Sequence, residues 1–243
     1  MINQVNKHER DANIRFIPEG HKYIIGDGSR SYISVTSFVK SIFPSFNPDY
    51  ALKKMRSSPK WNITHPHFMK TDDEIKEEWA TACKEASEAG SGLHDQIDKY
   101  LNNSLETEPE TQEWGMFKEF ISTLDGEPYR TEWMIYDEPN KICGTLDFLV
   151  KNTDGTYTII DWKRSKSIHK PRTTMISNTT FWHYCIQLNL YKYILEKHYG
   201  IRITKMTIVQ MHPEKGKLTT YDMPDKQDDI KEYIRKRNNP YDI

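Results

Sequence analysis

Two aspartates and a lysine have a spacing that can place them on one face of a β-hairpin. Asp147 lies in an apolar run, and Asp161 and Lys163 end the next apolar run along the chain. If Asn152 pairs with Thr156 across a glycine-containing turn, Asp147 stands opposite Asp161, and the period of two puts Lys163 on the same face. A two-residue turn would instead send the two aspartates to opposite faces.

Such an arrangement favours chemistry on a phosphate. Opposed carboxylates repel each other and raise the pKa of one of them unless a cation lies between them. Mg²⁺ and Mn²⁺ prefer hard oxygen ligands and bind phosphate while retaining several waters. Lys163 would then supply a positive charge for a phosphate oxygen or an attacking water. Taken singly, Asp147 could be a turn or edge residue and Lys163 a solvated charge.

These two segments resemble a known nuclease motif. The sequences GTLD at residues 144–147 and IIDWK at residues 159–163 are similar to the two halves of the PD-(D/E)XK nuclease motif. The chain differs from the commonest form in having Asp161 where Glu is more usual, and in lacking a proline before Asp147. Both variations occur within that superfamily.

Two helical motifs narrow the resemblance to the RecB-like branch. GSGLH at residues 90–94 resembles its G-x-x-x-H motif, and QLNLY at residues 187–191 resembles its Q-x-x-x-Y motif. One helical turn separates Gly90 from His94, so a face without a side chain could approach the sheet and present an imidazole to a metal. A lone histidine on an apolar helix face is more often a packed core residue, but together with the other motifs His94 is predicted to be a metal ligand.

The resemblance covers roughly residues 32 to 211 and is strongest to exonucleases of the mitochondrial genome maintenance type and their phage and viral relatives. It implies a restriction-endonuclease-like core, an α/β (α+β) fold with a mixed central β-sheet flanked by helices. The catalytic residues that it implies are His94, Asp147, Asp161 and Lys163. The Mg²⁺ or Mn²⁺ ligands that it implies are His94, Asp147, Asp161 and the Trp162 carbonyl, with Glu132 near a second metal.

Charge segregation predicts a surface for nucleic acid, although the net charge is only −1. Residues 162–195 contain no Asp or Glu, whereas residues 72–113 contain thirteen, so one surface should face a polyanion and another repel it. Gln187 and Tyr191 share a helix face and could bond a phosphate or stack on a base. The residues predicted to bind nucleic acid are Gln187, Tyr191, Arg164, Lys166, Lys170, Arg172 and Trp182. Alternatively, Trp182 could be buried in the core by its helix and have no contact with nucleic acid.

Several classes of protein are excluded by composition. The chain has no apolar run of ~18 residues and no apolar leader at its N-terminus, so we expect a soluble intracellular protein of the cytoplasm or nucleoid, or one encoded by a phage or virus. Three widely spaced cysteines, Cys83, Cys143 and Cys185, argue against a disulfide framework and an iron–sulfur cluster.

We expect one nuclease domain over residues 1–243, with an N-terminal elaboration (1–70), a core (72–223) and a C-terminal helix (224–243). The N-terminal hairpin should turn at residues 26–28, and Ser34 or Thr36 should cap the following helix. In the long helix from Asp72, Gly90 and Gly92 should mark a break or a close approach. The remaining elements are expected to be helices at 111–124 and 181–199 and strands at 129–136, 142–151, 156–162, 203–211 and 217–223.

The sequence therefore predicts a metal-dependent DNA exonuclease that acts on single strands or free ends and leaves 5′-phosphates. A structure-specific DNA or RNA endonuclease is the first alternative, and a non-cleaving nucleic-acid-binding protein is the second. Replication, recombination or repair proteins would be its partners, and blocked DNA ends would separate the exonuclease from the endonuclease.

Overall fold

The computed structural model describes residues 1–239. The strands are β1 (Ile14–Ile17), β2 (Lys22–Ile25), β3 (Ile33–Ser34), β4 (Glu127–Asp137), β5 (Ile142–Lys151), β6 (Tyr157–Lys163), β7 (Ile203–Gln210) and β8 (Thr219–Asp222). The α-helices are α1 (Ile2–Val5), α2 (Val35–Ile42), α3 (Pro48–Arg56), α4 (Asp72–Leu101), α5 (Gln112–Ser122), α6 (Thr180–His198) and α7 (Gln227–Asn238). The last four residues of the predicted C-terminal segment, 240–243, lie outside the described residues.

Six strands form a mixed sheet. Five of them follow the order β3-β5-β6-β7-β8, and the sixth, β4, pairs with β5 along its whole length. The β3–β5 and β6–β7 pairs are parallel, and the other pairs of this sheet are antiparallel. Helices cover both faces, with α4 and α5 on one and α2, α6 and α7 on the other. The predicted fold class, a mixed central sheet flanked by helices, is confirmed.

The hairpin between β5 and β6 has the predicted turn. The Asn152 N–H donates to the Thr156 carbonyl over 2.8 Å, and Gly155 has the left-handed φ of +79° that the turn needs. The adjoining strand pairs place Phe148 opposite Ile160. The ladder between β5 and β6 ends at that pair, next to the two aspartates.

The N-terminal hairpin differs from the prediction. Its strands β1 and β2 pair with each other around residues 18–21, and not around residues 26–28. Gly20 and His21 take the left-handed conformation there, with φ of +81° and +52°. The segment after residue 28 leaves the hairpin and becomes β3, which pairs in parallel with the start of β5. Ser34 caps α2, accepting from the Ser37 N–H, as one of the two predicted alternatives.

The long helix α4 runs without a break for 30 residues. Thr71 and Glu74 form a capping box at its start, and the helix continues through Gly90 and Gly92. Apart from the adjoining residues and the backbone of the helix itself, no atom of residues 1–239 lies within 4 Å of a Cβ built on either glycine. The predicted break or close approach is therefore wrong, because this part of α4 is largely exposed and no neighbour requires a glycine there.

Two hydrophobic cores hold the sheet between its helices. Phe148 belongs to the core beneath α4 and α5, whereas Leu146, two residues earlier on β5, belongs to the core beneath α6. In a regular strand these two side chains would share a face. The alternation of β5 thus shifts at Asp147, the residue between them. Among residues 1–239, no helix is both long and apolar enough to cross a membrane.

Candidate active site

The two aspartates lie just beyond the end of the β5–β6 ladder and are both buried. Asp147 is 8% exposed and Asp161 is 1% exposed. The Trp162 N–H donates to Asp147 Oδ2 over 2.9 Å, and Gln187 Nε2 donates to Asp161 Oδ1 over 3.2 Å. Burial raises the pKa of both carboxyl groups, and the charge of Asp147 contributes to raising the pKa of Asp161 to about 6. Both carboxylates would therefore gain from a nearby cation.

Lys163 is the last residue of β6, and its side chain contacts Asp161, two residues earlier on the same strand. Its Nζ contacts Asp161 Oδ2 and lies 5.1 Å from the centre of the Tyr184 ring. Burial alone would lower the pKa of this lysine, but the negative charges of Asp161 and Asp147 raise it above its usual value. Lys163 therefore remains protonated at neutral pH and acts as a fixed positive charge.

His94 projects from α4 into the same site and is not a packed core histidine. Its Nε2 lies 3.0 Å from the Trp162 carbonyl oxygen, and since that oxygen can only accept, Nε2 carries the proton. Its Nδ1 lies 3.4 Å from Glu132 Oε1 and 3.6 Å from Asp147 Oδ2. Burial lowers the pKa of His94, but Asp147 and Glu132 outweigh that effect and raise the pKa to about 9.

Glu132 has an unusual backbone for a residue in a strand. It lies between the pairs Thr131–Phe148 and Trp133–Leu146, and so stands across from Asp147. Its φ is +42°, in the left-handed region that costs a residue other than glycine about 1–2 kcal/mol. Such strain persists only where the surroundings impose it, and it is concentrated at functional sites.

Three of these side chains form a group that could hold a metal ion. One ligand atom each from His94, Glu132 and Asp147 lies within 4.8 Å of the others. A cavity of about 340 Å³, lined by Ser91, His94, Asp95, Asp98 and Glu132, opens beside them. One nitrogen and several carboxylate oxygens suit Mn²⁺ or Mg²⁺, and the excess of buried negative charge favours a cation. The residues therefore fit a divalent metal.

The ligand set that the resemblance implied shares His94 and Asp147 with this group, and its other members stay predictions. Glu132, expected near a second metal, lies with His94 and Asp147, whereas Asp161 is outside the group and contacts Lys163 and Gln187. The Trp162 carbonyl is directed at His94 and accepts its hydrogen bond. The left-handed backbone that brings Glu132 to this group has no signal in the residue types of β4.

Two aromatic residues expected to bind nucleic acid are buried instead. Trp182 and Tyr191 are each 2% exposed, which contradicts the prediction that either could stack on a base. Tyr191 packs against Gly144, where a Cβ would lie 3.0 Å from its Cε1 atom. A glycine is therefore needed at position 144 to make room for the Tyr191 ring, which packs on the face of β5 that α6 covers. Gln187, one turn earlier on α6, is the member of this motif that reaches the site.

The four basic residues after β6 fall into two pairs. Arg164 Nε donates to the buried Glu113 over 2.7 Å, and Lys166 forms an exposed ion pair with Glu214. Lys170 and Arg172 are exposed, in the segment between β6 and α6. Arg164 thus fastens this segment to α5, while Lys170 and Arg172 remain placed to meet a polyanion.

Comparison with known proteins identifies the superfamily. A sequence model of the PD-(D/E)XK nuclease superfamily matches residues 63–240, and the chain belongs to this superfamily. No curated protein sequence matches it. The structure is similar to the crystal structure of SSO0001, with 16% identity over 86% of this chain and 75% of that chain and a TM-score of 0.37. It is also similar to a protein from Eubacterium rectale that was proposed to be an exonuclease, with 15% identity over 86% of this chain and 79% of that chain and a TM-score of 0.44.

The protein is therefore a nuclease of this superfamily, whose members generally use divalent metals. The group of His94, Glu132 and Asp147 provides a place for such an ion. The closer resemblance to mitochondrial genome maintenance exonucleases stays a prediction.

Proposed function

We propose that this protein is a Mg²⁺- or Mn²⁺-dependent deoxyribonuclease, an exonuclease that acts on single-stranded DNA or free DNA ends and leaves 5′-phosphates. The observation that carries the proposal is the group of His94, Glu132 and Asp147 beside the buried pair of Asp161 and Lys163. Burying two neighbouring carboxylates disfavours their charged forms, which is why the pKa of each is raised. A protein that only bound DNA would have no need for this unfavourable arrangement.

In this proposal His94, Glu132 and Asp147 hold the metal, and the Trp162 carbonyl orients His94 by accepting its Nε2–H. When bound, the ion would neutralise charge on the phosphate and lower the pKa of an attacking water. Lys163, kept protonated by Asp161, would donate to a phosphate oxygen or to that water. Gln187 holds Asp161, and through it the lysine, in place.

The segment between β6 and α6 would carry the DNA backbone to this site. Lys170 and Arg172 are exposed there, whereas Arg164 and Lys166 already have carboxylate partners on the protein. We propose that residues 1–243 form one nuclease domain, with residues 1–70 as an N-terminal elaboration. Free DNA ends arise in replication, recombination and repair, so proteins of those processes are the partners we propose inside the cell.

The test compares end-labelled linear and circular single-stranded DNA in Mg²⁺, in Mn²⁺ and in EDTA. We expect digestion of the linear form alone, lost in EDTA and in Asp161→Asn. The matched control is Asp228→Asn, which changes a 99% exposed carboxylate and should retain full activity. Cleavage of the circle would establish an endonuclease instead. If neither DNA nor RNA is cut in any metal, the assignment as an active nuclease is wrong.

A further inference from the structure

The left-handed backbone at Glu132 must be imposed by its neighbours, and the edge of β4 shows which ones. Among the described strands β4 pairs only with β5, so its other edge is open to a different partner. Helix α1 covers that edge. The Thr131 N–H donates to Asn3 Oδ1 over 2.9 Å, and Asn3 Nδ2 donates to the Thr131 carbonyl over 3.1 Å. The Asn3 side chain thus pairs with the strand much as a neighbouring strand would, one residue before Glu132.

The same asparagine is tied to the helix that carries His94. The Asn3 backbone N–H donates to Asn102 Oδ1 over 3.1 Å, and Asn3 Nδ2 also donates to Thr131 Oγ1 over 3.1 Å. Thr131 Oγ1 further accepts from Asn102 Nδ2 over 2.8 Å and donates to Asp98 Oδ1. Asp98 and Asn102 follow His94 by four and eight residues on α4, which is close to one and two helical turns.

These bonds make one partly buried network between the strand of Glu132 and the helix of His94. Thr131 is 1% exposed and Asn102 is 6% exposed, so water competes little for these hydrogen bonds. Within residues 1–239, Asn3 is the residue whose side chain bonds both backbone groups of Thr131 while its own backbone contacts Asn102. Its loss would free the strand edge next to the strained residue and loosen the spacing between Glu132 and His94.

We propose that Asn3 is a positioning residue for the metal site, fixing Glu132 relative to His94 through Thr131. The inference rests on the metal site proposed above. Residues that orient metal ligands typically change metal affinity by 10–100-fold when they are removed. Asn3 itself contacts neither Glu132 nor His94 in the bonds described, so its effect would pass through Thr131.

The experiment measures Mn²⁺ binding to the full chain without DNA, by electron paramagnetic resonance of the free ion. Asn3→Ala should weaken Mn²⁺ binding about 10-fold, and high Mn²⁺ concentrations should restore its cleavage rate. The matched control is Asn6→Ala. Asn6 Nδ2 also donates to the β4 edge, at the Tyr129 carbonyl over 2.9 Å, but lies farther from Glu132. We expect a similar small loss of thermal stability in both variants, and less than a twofold change in Mn²⁺ affinity in Asn6→Ala.

A second pair of variants tests the link to α4 with Asn3 itself unchanged. Thr131→Val removes the hydroxyl that Asp98, Asn102 and the Asn3 side chain share, while the two bonds between Asn3 and the Thr131 backbone can remain, and it should also weaken Mn²⁺ binding. Thr131→Ser keeps the hydroxyl and should bind as the wild type does. The inference is overturned if Asn3→Ala and Asn6→Ala have the same Mn²⁺ affinity, in a protein whose wild-type Mn²⁺ binding is lost in His94→Ala. If the wild type itself binds no Mn²⁺, the proposed metal site is wrong, and this inference with it.

Discussion

Replacing Lys163 by methionine removes the charge of the lysine, keeps much of its volume and leaves Asp161 buried without its partner. Nζ contacts Asp161, which is 1% exposed, and the lysine side chain is itself only 17% exposed. Removing one partner of a buried ion pair costs about 3–5 kcal/mol, because the other charge is left without compensation. Lys163→Met should therefore lower the free energy of unfolding by about that amount at pH 8.

The loss should depend on pH because Asp161 can take up a proton. Its pKa is already raised to about 6 by burial and by Asp147, and without Lys163 it rises further. In the unfolded chain the pKa of an aspartate is about 3.9. Between these values the folded state binds the extra proton, so stability increases as the pH falls. The difference between the variant and the wild type should thus be largest at pH 8 and smaller at pH 6.

Urea unfolding at both pH values provides the assay. The double variant Asp161→Asn/Lys163→Met leaves no unpaired charge at this point and should recover to within about 1 kcal/mol of the wild type, yet remain inactive. Lys231→Met, at a lysine 64% exposed, is the control and should stay within about 0.5 kcal/mol. A single Lys163→Met variant as stable as the wild type at pH 8, or a double variant no more stable than the single one, would refute the reasoning.

Other substitutions separate packing from charge. Gly144→Ala should destabilise the fold by about 1–3 kcal/mol in urea unfolding, because its Cβ would lie 3.0 Å from Tyr191; an unchanged midpoint would contradict this packing. Gly90→Ala should stabilise the fold by up to about 1 kcal/mol and leave the cleavage rate unchanged, because α4 is open there; a loss of activity would show that the glycine has another role. The double variant Lys170→Ala/Arg172→Ala should weaken DNA binding and reduce the slope of log affinity against log salt by about 1.4, at about 0.7 for each contact with a single strand; an unchanged slope would remove both residues from the DNA path.

Much of the site could be predicted because it depends on local structure. The turn at residues 152–156 sets the register of β5 and β6, and that register brings Asp147 near Asp161. The place of Lys163 is set by the period of the strand. A site formed by two adjacent strands and a short turn can be predicted from the sequence, because the turn residues and the alternation of side chains together allow few registers.

The remaining features depend on contacts between distant parts of the chain. Glu132 joins the metal group through a left-handed backbone that Asn3 and α4 support, and no pattern within β4 indicates it. Burial of Trp182 and Tyr191 depends on α6 being covered on most sides, by the sheet and by two other helices. A buried helix shows no polar stripe from which its contact face could be recognised.

The most direct test of the central claim is the position of Mn²⁺ in crystals of this protein, located by anomalous diffraction. The account predicts a peak bounded by His94 Nδ1 and the carboxylates of Glu132 and Asp147, lost in His94→Ala. A peak held by Asp147 and Asp161 without Glu132 would contradict the ligand set argued from the structure. If crystals at a Mn²⁺ concentration that supports cleavage show no peak at this site, the proposed metal site is wrong.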